Sequence, residues 1–204
     1  MVRDGIIYVL VPSALAMVAF ILGYWPVGIL LGVLAAFMAF FFRDPRREPP
    51  ADKDVIVSPA DGRVTRVQRV DQQSDDSPTL VSIFLSPFDV HINRAPIAGE
   101  ITRVAYMKGK FLIATDESAS VVNEQNSLTI EGEKITVVCK QIAGILARRI
   151  VCWKHAGEQV ALGERFGLIK FSSRTDIVMP ANVTVSVKKG DRVKGGTSII
   201  GRIR

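Results

Sequence analysis

Residues 5–42 contain no aspartate, glutamate, lysine or arginine, and most of them are apolar. A single helix over this stretch would be roughly 57 Å long, about twice the hydrocarbon core of a bilayer. The segment Gly23-Tyr24-Trp25-Pro26 interrupts the stretch near its middle, and proline favours the end of a helix. We therefore predict a membrane-anchoring hairpin over residues 1–42, with helices at about 6–24 and 27–42.

Positive charges flank this apolar stretch at both ends. Arg3 precedes it, and Arg43, Arg46 and Arg47 follow it. A hairpin places both ends on one side of the bilayer, and arginine marks that side as cytoplasmic. A cleaved secretory signal is the alternative, but a signal peptide normally has a single apolar core. We expect an uncleaved anchor in the cell membrane, with the following domain on the cytoplasmic face.

Residues 43–53 read as a linker, because three prolines and alternating charges keep them extended. The chain of 204 residues has a formal charge of +6, and Arg3 cancels Asp4, so the excess lies on residues 43–204. A basic domain behind an apolar anchor predicts an anionic membrane surface as partner. A merely soluble basic domain is the plainer alternative. Nucleic acid is not expected, because no basic and aromatic residues interleave as base-stacking surfaces require.

From residue 54 onward the pattern changes to short β-rich runs separated by turns. Residues 131–133 read as the turn of a hairpin, and residues 142–153 fit either a strand or a short helix. Residues 183–201 resemble the C-terminal half of a biotinyl/lipoyl-like barrel-sandwich, and residues 57–67 resemble its first half. We predict a mostly β, barrel-sandwich-like domain over 54–204, whose two ends pair with each other. The predicted strands are 55–57, 63–70, 80–85, 101–106, 128–130, 134–139 and 183–187.

The two cysteines, Cys139 and Cys152, fit no metal-binding or redox spacing. We expect both to be buried free thiols in a reducing compartment. His91 and His155 are the only histidines, too few for a histidine-rich metal site, so no metal is expected. His155 lies in a polar segment and is predicted to be exposed.

The segment Phe171-Ser172-Ser173-Arg174 resembles the self-cleavage site of the pyruvoyl-dependent phosphatidylserine decarboxylases. The resemblance extends in the family's order from the end of the anchor to this segment. It is most similar to the short, membrane-anchored form, and the family fold is a mostly β domain. The matching stretches are 41–45, 57–62, 90–96, 123–126, 141–144, 147–150 and 163–167.

The resemblance implies that the chain cleaves itself between Ser172 and Ser173. The Ser173 hydroxyl would attack the carbonyl of Ser172 and convert the amide into an ester, and elimination would leave dehydroalanine at 173. Hydrolysis would then yield a covalent pyruvoyl cofactor and ammonia, with a large fragment (1–172) and a small one (173–204) that stay together. The pyruvoyl group would form a Schiff base with phosphatidylserine and release CO2 to give phosphatidylethanolamine.

One departure concerns the scissile bond, because family members usually carry glycine where this chain has Ser172. Glycine tolerates positive φ and close approach, whereas serine resists both, so slower processing is expected if the turn needs that geometry. Without the resemblance, Ser172-Ser173 would read as a plain polar turn.

The processing base is less well defined by the sequence. Asp61 matches the aspartate and His91 the first histidine of an Asp-His-Ser relay, but Arg94 stands where long-form relatives have a second histidine. Either His91 serves both processing and decarboxylation, or another group activates Ser173. Taken alone, His91 would read as a hydrogen-bonded structural histidine and Asp61 as the aspartate of an Asp-Gly turn.

Arg148 and Arg149 are candidates for binding the substrate phosphate or carboxylate, although paired arginines also occur as a solvated or lipid-facing patch. Two alternative functions remain open at this point. One is the same chemistry on another serine-headed lipid, archaetidylserine. The other is a non-catalytic, membrane-tethered barrel-sandwich module, which predicts an intact polypeptide.

Overall fold

The structure is a computed structural model, and it describes residues 1–74, 76–113, 116, 118–145, 149–171 and 173–204. Two of the predicted site residues, Arg148 and Ser172, lie outside the described residues. The chain divides into two units, Met1–Arg46 and Arg47–Arg204.

The first unit is a helical hairpin. A short 3-10 turn (Arg3–Gly5) leads into α1 (Ile6–Ile21), and α2 (Trp25–Phe41) follows after a three-residue break. The backbone N–H of Val2 donates to the carbonyl of Phe42 at 3.2 Å, so the start of the first helix meets the end of the second. The predicted hairpin is therefore present.

The helix boundaries differ from the prediction at the break. Helix α1 ends at Ile21, and α2 begins at Trp25, so Pro26 lies in the first turn of the second helix rather than before it. Proline fits this position because the first N–H groups of a helix have no intrahelical partner. The stretch Arg3–Ile21 is long and apolar enough to cross a membrane, whereas Trp25–Phe41 is shorter. This composition is consistent with membrane association.

Strands fill most of the second unit, which also contains the short helix α3 (Ala119–Val122). The sequence of residues 142–153 fitted either a strand or a short helix, and residues 149–152 form a strand. In chain order the strands are β1 (Val55–Val57), β2 (Gly62–Arg69), β3 (Thr79–Leu85), β4 (Ile92–Arg94), β5 (Gly99–Met107), β6 (Gln125–Glu131), β7 (Thr136–Ala143), β8 (Arg149–Cys152), β9 (Gln159–Val160), β10 (Arg165–Lys170), β11 (Ser173–Met179), β12 (Val183–Val185), β13 (Arg192–Val193) and β14 (Ile199–Ile203).

The strands form three antiparallel sheets. The largest has the order β13-β2-β3-β11-β7-β6-β5-β9, and the two smaller ones have the orders β1-β14-β12 and β4-β10-β8. Strand β6 pairs with β7 around the predicted 131–133 turn. The two ends of the domain pair with each other, because β1 bonds to β14 and β2 bonds to β13. The predicted mostly β fold with long-range pairing is confirmed.

One apolar cluster joins strands of all three sheets. Ile56 and Ile200 come from the β1-β14-β12 sheet and Phe166 from the β4-β10-β8 sheet, and they pack with residues of the large sheet such as Ile83 and Ile177. Both cysteines are free thiols, with Cys139 buried in this cluster and Cys152 half-buried. Burial raises the pKa of both thiols, which favours the unreactive protonated form.

Gly62 opens β2 and is expected to be sensitive to any side chain. Its φ is 150°, and a Cβ atom would lie 2.1 Å from the carbonyl oxygen of Phe84. Gly190 also has a positive φ, of 100°, but a Cβ there would meet nothing within 4 Å. We predict that Gly62→Ala lowers the free energy of unfolding by about 3 kcal/mol and Gly190→Ala by about 1 kcal/mol. Denaturant unfolding of the detergent-solubilised chain measures both, and equal losses would contradict the packing argument.

Candidate active site

Ser173 is the first residue of β11, and its side chain is buried. It pairs with Leu85 of β3 on one side and with Ala143 of β7 on the other, so its backbone is held from both directions. The residue is 0% exposed, and its Oγ atom has no hydrogen-bond partner within the described residues. A buried hydroxyl without a partner is costly in a folded protein, and such exceptions concentrate at functional sites.

The backbone just before this serine adopts an unusual conformation. Phe171 has φ 65°, and it is the one non-glycine residue with positive φ among those the structure describes. A bulky residue in the left-handed region costs free energy, of the order of 1–2 kcal/mol, and persists only where the surrounding structure enforces it. The two flanking strands constrain the backbone of Phe171, because β10 ends at Lys170 in one sheet and β11 begins at Ser173 in another.

Three such sheet-crossing connections run side by side at this end of the domain. Strand β3 neighbours β11 in the large sheet, and β4, the next strand along the chain, neighbours β10 in the small sheet. Strands β7 and β8 have the same relation on the other side of β11 and β10. The connection 86–91 therefore lies on one side of the connection that precedes Ser173, and Gly144 and Ile145, which follow β7, lie on the other.

His91 ends the first of these flanking connections. Its carbonyl accepts a hydrogen bond from the Ile169 N–H at 3.3 Å, two residues before Phe171. Its Nδ1 lies 3.0 Å from the carbonyl oxygen of Asp89, and the residue is 2% exposed. The imidazole is thus held by its own loop, beside the connection that leads to Ser173.

Asp61 lies at the same end of the large sheet, two strands from Ser173. It precedes Gly62 of β2, and the next residue, Arg63, pairs with Phe84 of β3, which in turn pairs with Arg174 of β11. This register places Asp61 about 10 Å from β11 in the direction across the strands.

The carboxylate of Asp61 bonds to two groups outside the histidine loop. It accepts from the Arg47 guanidinium at 2.7 Å and from the Gly195 N–H at 2.8 Å. Burial raises the pKa of this carboxyl above its usual value, and the charge of Asp89 adds to the rise, whereas Gly195 and Arg47 oppose it. The carboxylate of Asp61 therefore bonds to Arg47 and Gly195, and Asp89 lies close enough for the two negative charges to repel each other.

The structure also locates three other residues that the sequence singled out. Arg94 is buried and donates to the carbonyl of Gly163 at 3.1 Å, so it acts in packing where long-form relatives have a histidine. Arg149 is exposed at the start of β8 and pairs with Lys170, the last residue of β10. His155 is exposed as predicted, with Glu158 beside it.

A buried amide network supports the site and was not predicted from the sequence. Asn93 donates to the Thr175 hydroxyl at 2.9 Å and accepts from the Gln141 amide at 2.9 Å, while Asn126 donates to Gln141 at 3.0 Å. The network ties β4, which follows His91, to β11, which begins at Ser173. These residues lie within the matching stretches 90–96, 123–126 and 141–144, but only the fold shows why they occur together.

A buried ion pair follows Ser173 on the other face of β11. Nε of Arg174 lies 2.9 Å from Oδ1 of Asp176, and Nη2 donates to Oδ2 at 3.1 Å. Nη1 of the same guanidinium donates to the carbonyl of Asp116 at 3.0 Å. Both charged side chains are about fully buried, so each depends on the other for compensation.

No metal cluster accompanies these residues in the part of the chain that the structure describes. No three histidine, cysteine, aspartate or glutamate side chains there are grouped closely enough to hold a metal ion. A cavity of about 650 Å³ lies beside Ile135 and Lys134, next to the β6–β7 turn. Strand β7 separates this turn from Ala143 and Ser173 by about 23 Å, so the cavity is distinct from the candidate site.

Comparison with known proteins identifies the family to which the chain belongs. A model of the phosphatidylserine decarboxylase family matches residues 34–201. The phosphatidylserine decarboxylase proenzyme of Solibacter usitatus is 49% identical over 203 residues, which cover 98% of this chain and 96% of the relative. The chain belongs to the phosphatidylserine decarboxylase family. The proenzyme of Symbiobacterium thermophilum is 46% identical over 206 residues, covering 98% and 94%, and that of Carboxydothermus hydrogenoformans is 42% identical over 207 residues, covering 100% and 97%.

Family membership confirms the resemblance drawn from the short motifs. These phosphatidylserine decarboxylase relatives match nearly the whole chain, so the similarity includes the apolar N-terminal residues as well as the β domain. Their names describe proenzymes, which are precursors that need processing. In this family member, the buried serine at the start of β11 is the residue on which the motif analysis centred.

The Arg174–Asp176 pair is predicted to be essential for folding of the site strand. In an unprocessed Ser173→Ala background, Arg174→Met should lower the free energy of unfolding by about 3–5 kcal/mol, because it leaves a buried carboxylate uncompensated. Replacing both partners, as Arg174→Met with Asp176→Leu, should recover most of this loss.

The matched control is Arg202→Met, which breaks an exposed pair with Asp52 (side chains 56% and 45% exposed) and should cost less than about 1 kcal/mol. Denaturant unfolding in detergent measures all three variants. A loss for Arg174→Met no larger than for Arg202→Met would refute a structural role for the buried pair.

Proposed function

We propose that this chain is a self-processing phosphatidylserine decarboxylase whose Ser173 is converted into a pyruvoyl group. The observation that carries the proposal is the buried Ser173 hydroxyl, without a partner among the described residues, directly after a connection with left-handed backbone at Phe171. Membership in a family whose relatives are named proenzymes supports the same conclusion.

Processing uses the chain's own atoms. The Ser173 hydroxyl attacks the carbonyl carbon of Ser172, the C–N bond breaks as the C–O bond forms, and the amide becomes an ester. Loss of the Cα proton of residue 173 then expels the carboxylate of Ser172 as a new C-terminus and leaves dehydroalanine. Water hydrolyses its imine tautomer to the ketone and releases ammonia. The backbone strain at Phe171 favours the attack, because cleavage releases it.

His91 is the base that we assign to these proton transfers. Its loop is bonded to the strand that leads to the scissile bond, and its imidazole is buried, which strengthens electrostatic interactions within the site. We assign Asp61 a positioning role, because a carboxylate at the same end of the large sheet favours the protonated form of the imidazole. This assignment gives one histidine both processing and substrate protonation, because Arg94 occupies the other family position in a packing role.

The buried position of Ser173 fits a pyruvoyl group, because a ketone oxygen there would replace an unpartnered hydroxyl with a group of similar size. When formed, the group supplies the electron sink that decarboxylation of an amino acid headgroup requires. We assign Arg149, which is exposed and pairs with Lys170 at the end of β10, to binding of the lipid phosphate, together with Arg148, which precedes it in the chain.

The two fragments are expected to remain one folded unit after cleavage. Residues 173–204 contribute β11 to β14, and each pairs with a strand of the large fragment or with another strand of the small one. Strand β11 lies between β3 and β7, β13 pairs with β2, and β14 pairs with β1. Separation would expose the core residues of these strands, so the fragments form a stable heterodimer.

The apolar hairpin provides the link to the substrate's membrane. We assign the enzyme to the cytoplasmic face of the cell membrane, because Arg3 and the arginines after residue 42 flank the hairpin on one side. The net charge of +6 favours an anionic lipid surface.

Mass spectrometry of the purified chain tests the proposed processing. We expect two fragments on a denaturing gel and a small fragment that begins at position 173 with pyruvate in place of serine. Ser173→Ala should remain a single polypeptide without decarboxylase activity, because it lacks the attacking hydroxyl.

Ser82→Ala is the matched control, since Ser82 is also buried on the neighbouring strand with an unpartnered Oγ within the described residues. It should process normally. An active, uncleaved Ser173→Ala variant would overturn the proposal, and an intact wild-type chain would favour a non-catalytic module.

The base assignment predicts that His91→Ala slows self-cleavage by about 10²–10⁴-fold, because proton transfer then depends on water. The time course of cleavage after synthesis in vitro measures the rate. His155→Ala removes the other, exposed histidine and should leave cleavage unchanged. Cleavage of His91→Ala at the wild-type rate would show that another group activates Ser173.

A further inference from the structure

Exposed apolar side chains surround the end of the sheet that carries Ser173. Six of them lie on segments between strands, and we call them the apolar rim: Phe88, Phe111, Leu112, Ile113, Val121 and Ile145. Phe88, Val121 and Ile145 are 69%, 71% and 57% exposed. Clustered apolar exposure of this kind marks an interaction surface rather than ordinary surface composition.

The strand register places two members of the rim directly beside the site. Phe88 lies three residues after Leu85, and Ile145 lies two residues after Ala143. Leu85 and Ala143 are the two residues that pair with Ser173, one from each side. Each flanking connection therefore carries an exposed apolar side chain at the end of the large sheet where β11 begins.

The segment 111–113 is held at this end by buried polar side chains. The Asn123 side chain accepts from the Leu112 N–H at 3.0 Å, donates to the Leu112 carbonyl at 2.9 Å and donates to the Ala143 carbonyl at 2.8 Å. Arg174 adds a second tie through the Asp116 carbonyl. Buried hydrogen bonds therefore hold this exposed apolar segment next to β7 and β11.

The charges around the rim indicate what covers it. Lys108 and Lys110 precede the apolar segment, Arg149 follows Ile145 by four residues, and all three are exposed. Acidic residues also occur near the rim in the sequence: Asp89 follows Phe88, and Asp116 and Glu117 follow the apolar segment. Asp116 accepts hydrogen bonds from the Ser118 backbone and hydroxyl, and Asp89 accepts from the Ser86 backbone and hydroxyl. Apolar side chains flanked by basic ones match the boundary between acyl chains and anionic headgroups.

We infer that the apolar rim inserts into an anionic bilayer, so that the β domain itself docks on the membrane around the Ser173 site. This inference rests on the proposed function. If the chain decarboxylates a lipid, docking of the β domain would let the lipid headgroup reach the Ser173 site without leaving the bilayer. It assigns a membrane contact to the β domain in addition to the N-terminal hairpin.

The first experiment compares two forms of the substrate. The full-length double variant Phe111→Ser/Ile113→Ser is assayed on phosphatidylcholine vesicles that contain phosphatidylserine, and on short-chain phosphatidylserine dispersed as monomers. We expect kcat/KM to fall about tenfold or more on vesicles and less than about twofold on the dispersed lipid, with self-cleavage unchanged, because only the bilayer contact is lost.

Val70→Ser is the matched control. Val70 is also exposed, at 60%, but it follows β2 at the opposite end, where Arg69 pairs with Thr79. It should leave both rates unchanged. Lys108→Ala/Lys110→Ala should remove the increase in vesicle rate that added phosphatidylglycerol brings.

The second experiment measures insertion without relying on activity. In vesicles of brominated phosphatidylcholine with phosphatidylglycerol, the full-length Phe111→Trp variant should show more quenching of tryptophan fluorescence than the wild-type chain. Val70→Trp should show no additional quenching.

Three results would overturn the docking surface: no additional quenching at position 111, equal losses on vesicles and dispersed lipid, or a change in oligomeric state of the double variant that shows a second copy covering the rim. A wild-type chain inactive on both substrate forms would instead overturn the proposed decarboxylase, and the quenching result would still decide whether the rim inserts.

Discussion

Hydrogen bonding of β11 between β3 and β7 is the constraint on which the rest of the site depends. Seven consecutive residues of β11, from Ser173 to Met179, pair with β3, and six of them also pair with β7. The strand is therefore fixed in the middle of the large sheet. Because β10 belongs to a different sheet, the chain must turn sharply just before Ser173, and Phe171 adopts a left-handed conformation there.

In this arrangement, a strand that is held on both sides follows a connection with left-handed backbone at Phe171. On one side, Ser173 is immobilised by two ladders, and on the other the chain crosses between sheets under strain. Oriented groups on rigid strands favour intramolecular attack, because little conformational entropy remains to be lost. In the proposed processing, the same pairing would retain the small fragment, since its new terminus at position 173 would already be part of the sheet.

Buried polar groups determine how the neighbouring elements are placed around this strand. Asn93, Gln141 and Asn126 connect the two sheets through amide bonds, and the Arg174–Asp176 pair fixes the opposite face of β11. Each group would be costly if it were left unpaired in the interior, so alternative registers are disfavoured. The apolar rim shares one of these supports, because Arg174 also donates to the Asp116 carbonyl, and this links the position of the proposed membrane contact to the strand that begins at Ser173.

Local patterns in the sequence determined much of this protein. The uncharged stretch 5–42 specified a helical hairpin, period-two runs specified several strands, and the ordered motifs identified the family and centred on Ser173. The sequence did not show that β10 and β11 lie in different sheets, that Asp61 bonds to Arg47 and Gly195, or that the rim is exposed. These features depend on pairings between distant residues, such as Asp61 with Gly195, 134 positions apart. Local propensity does not encode such contacts, and only the closed tertiary structure decides which polar groups meet and which apolar ones remain uncovered.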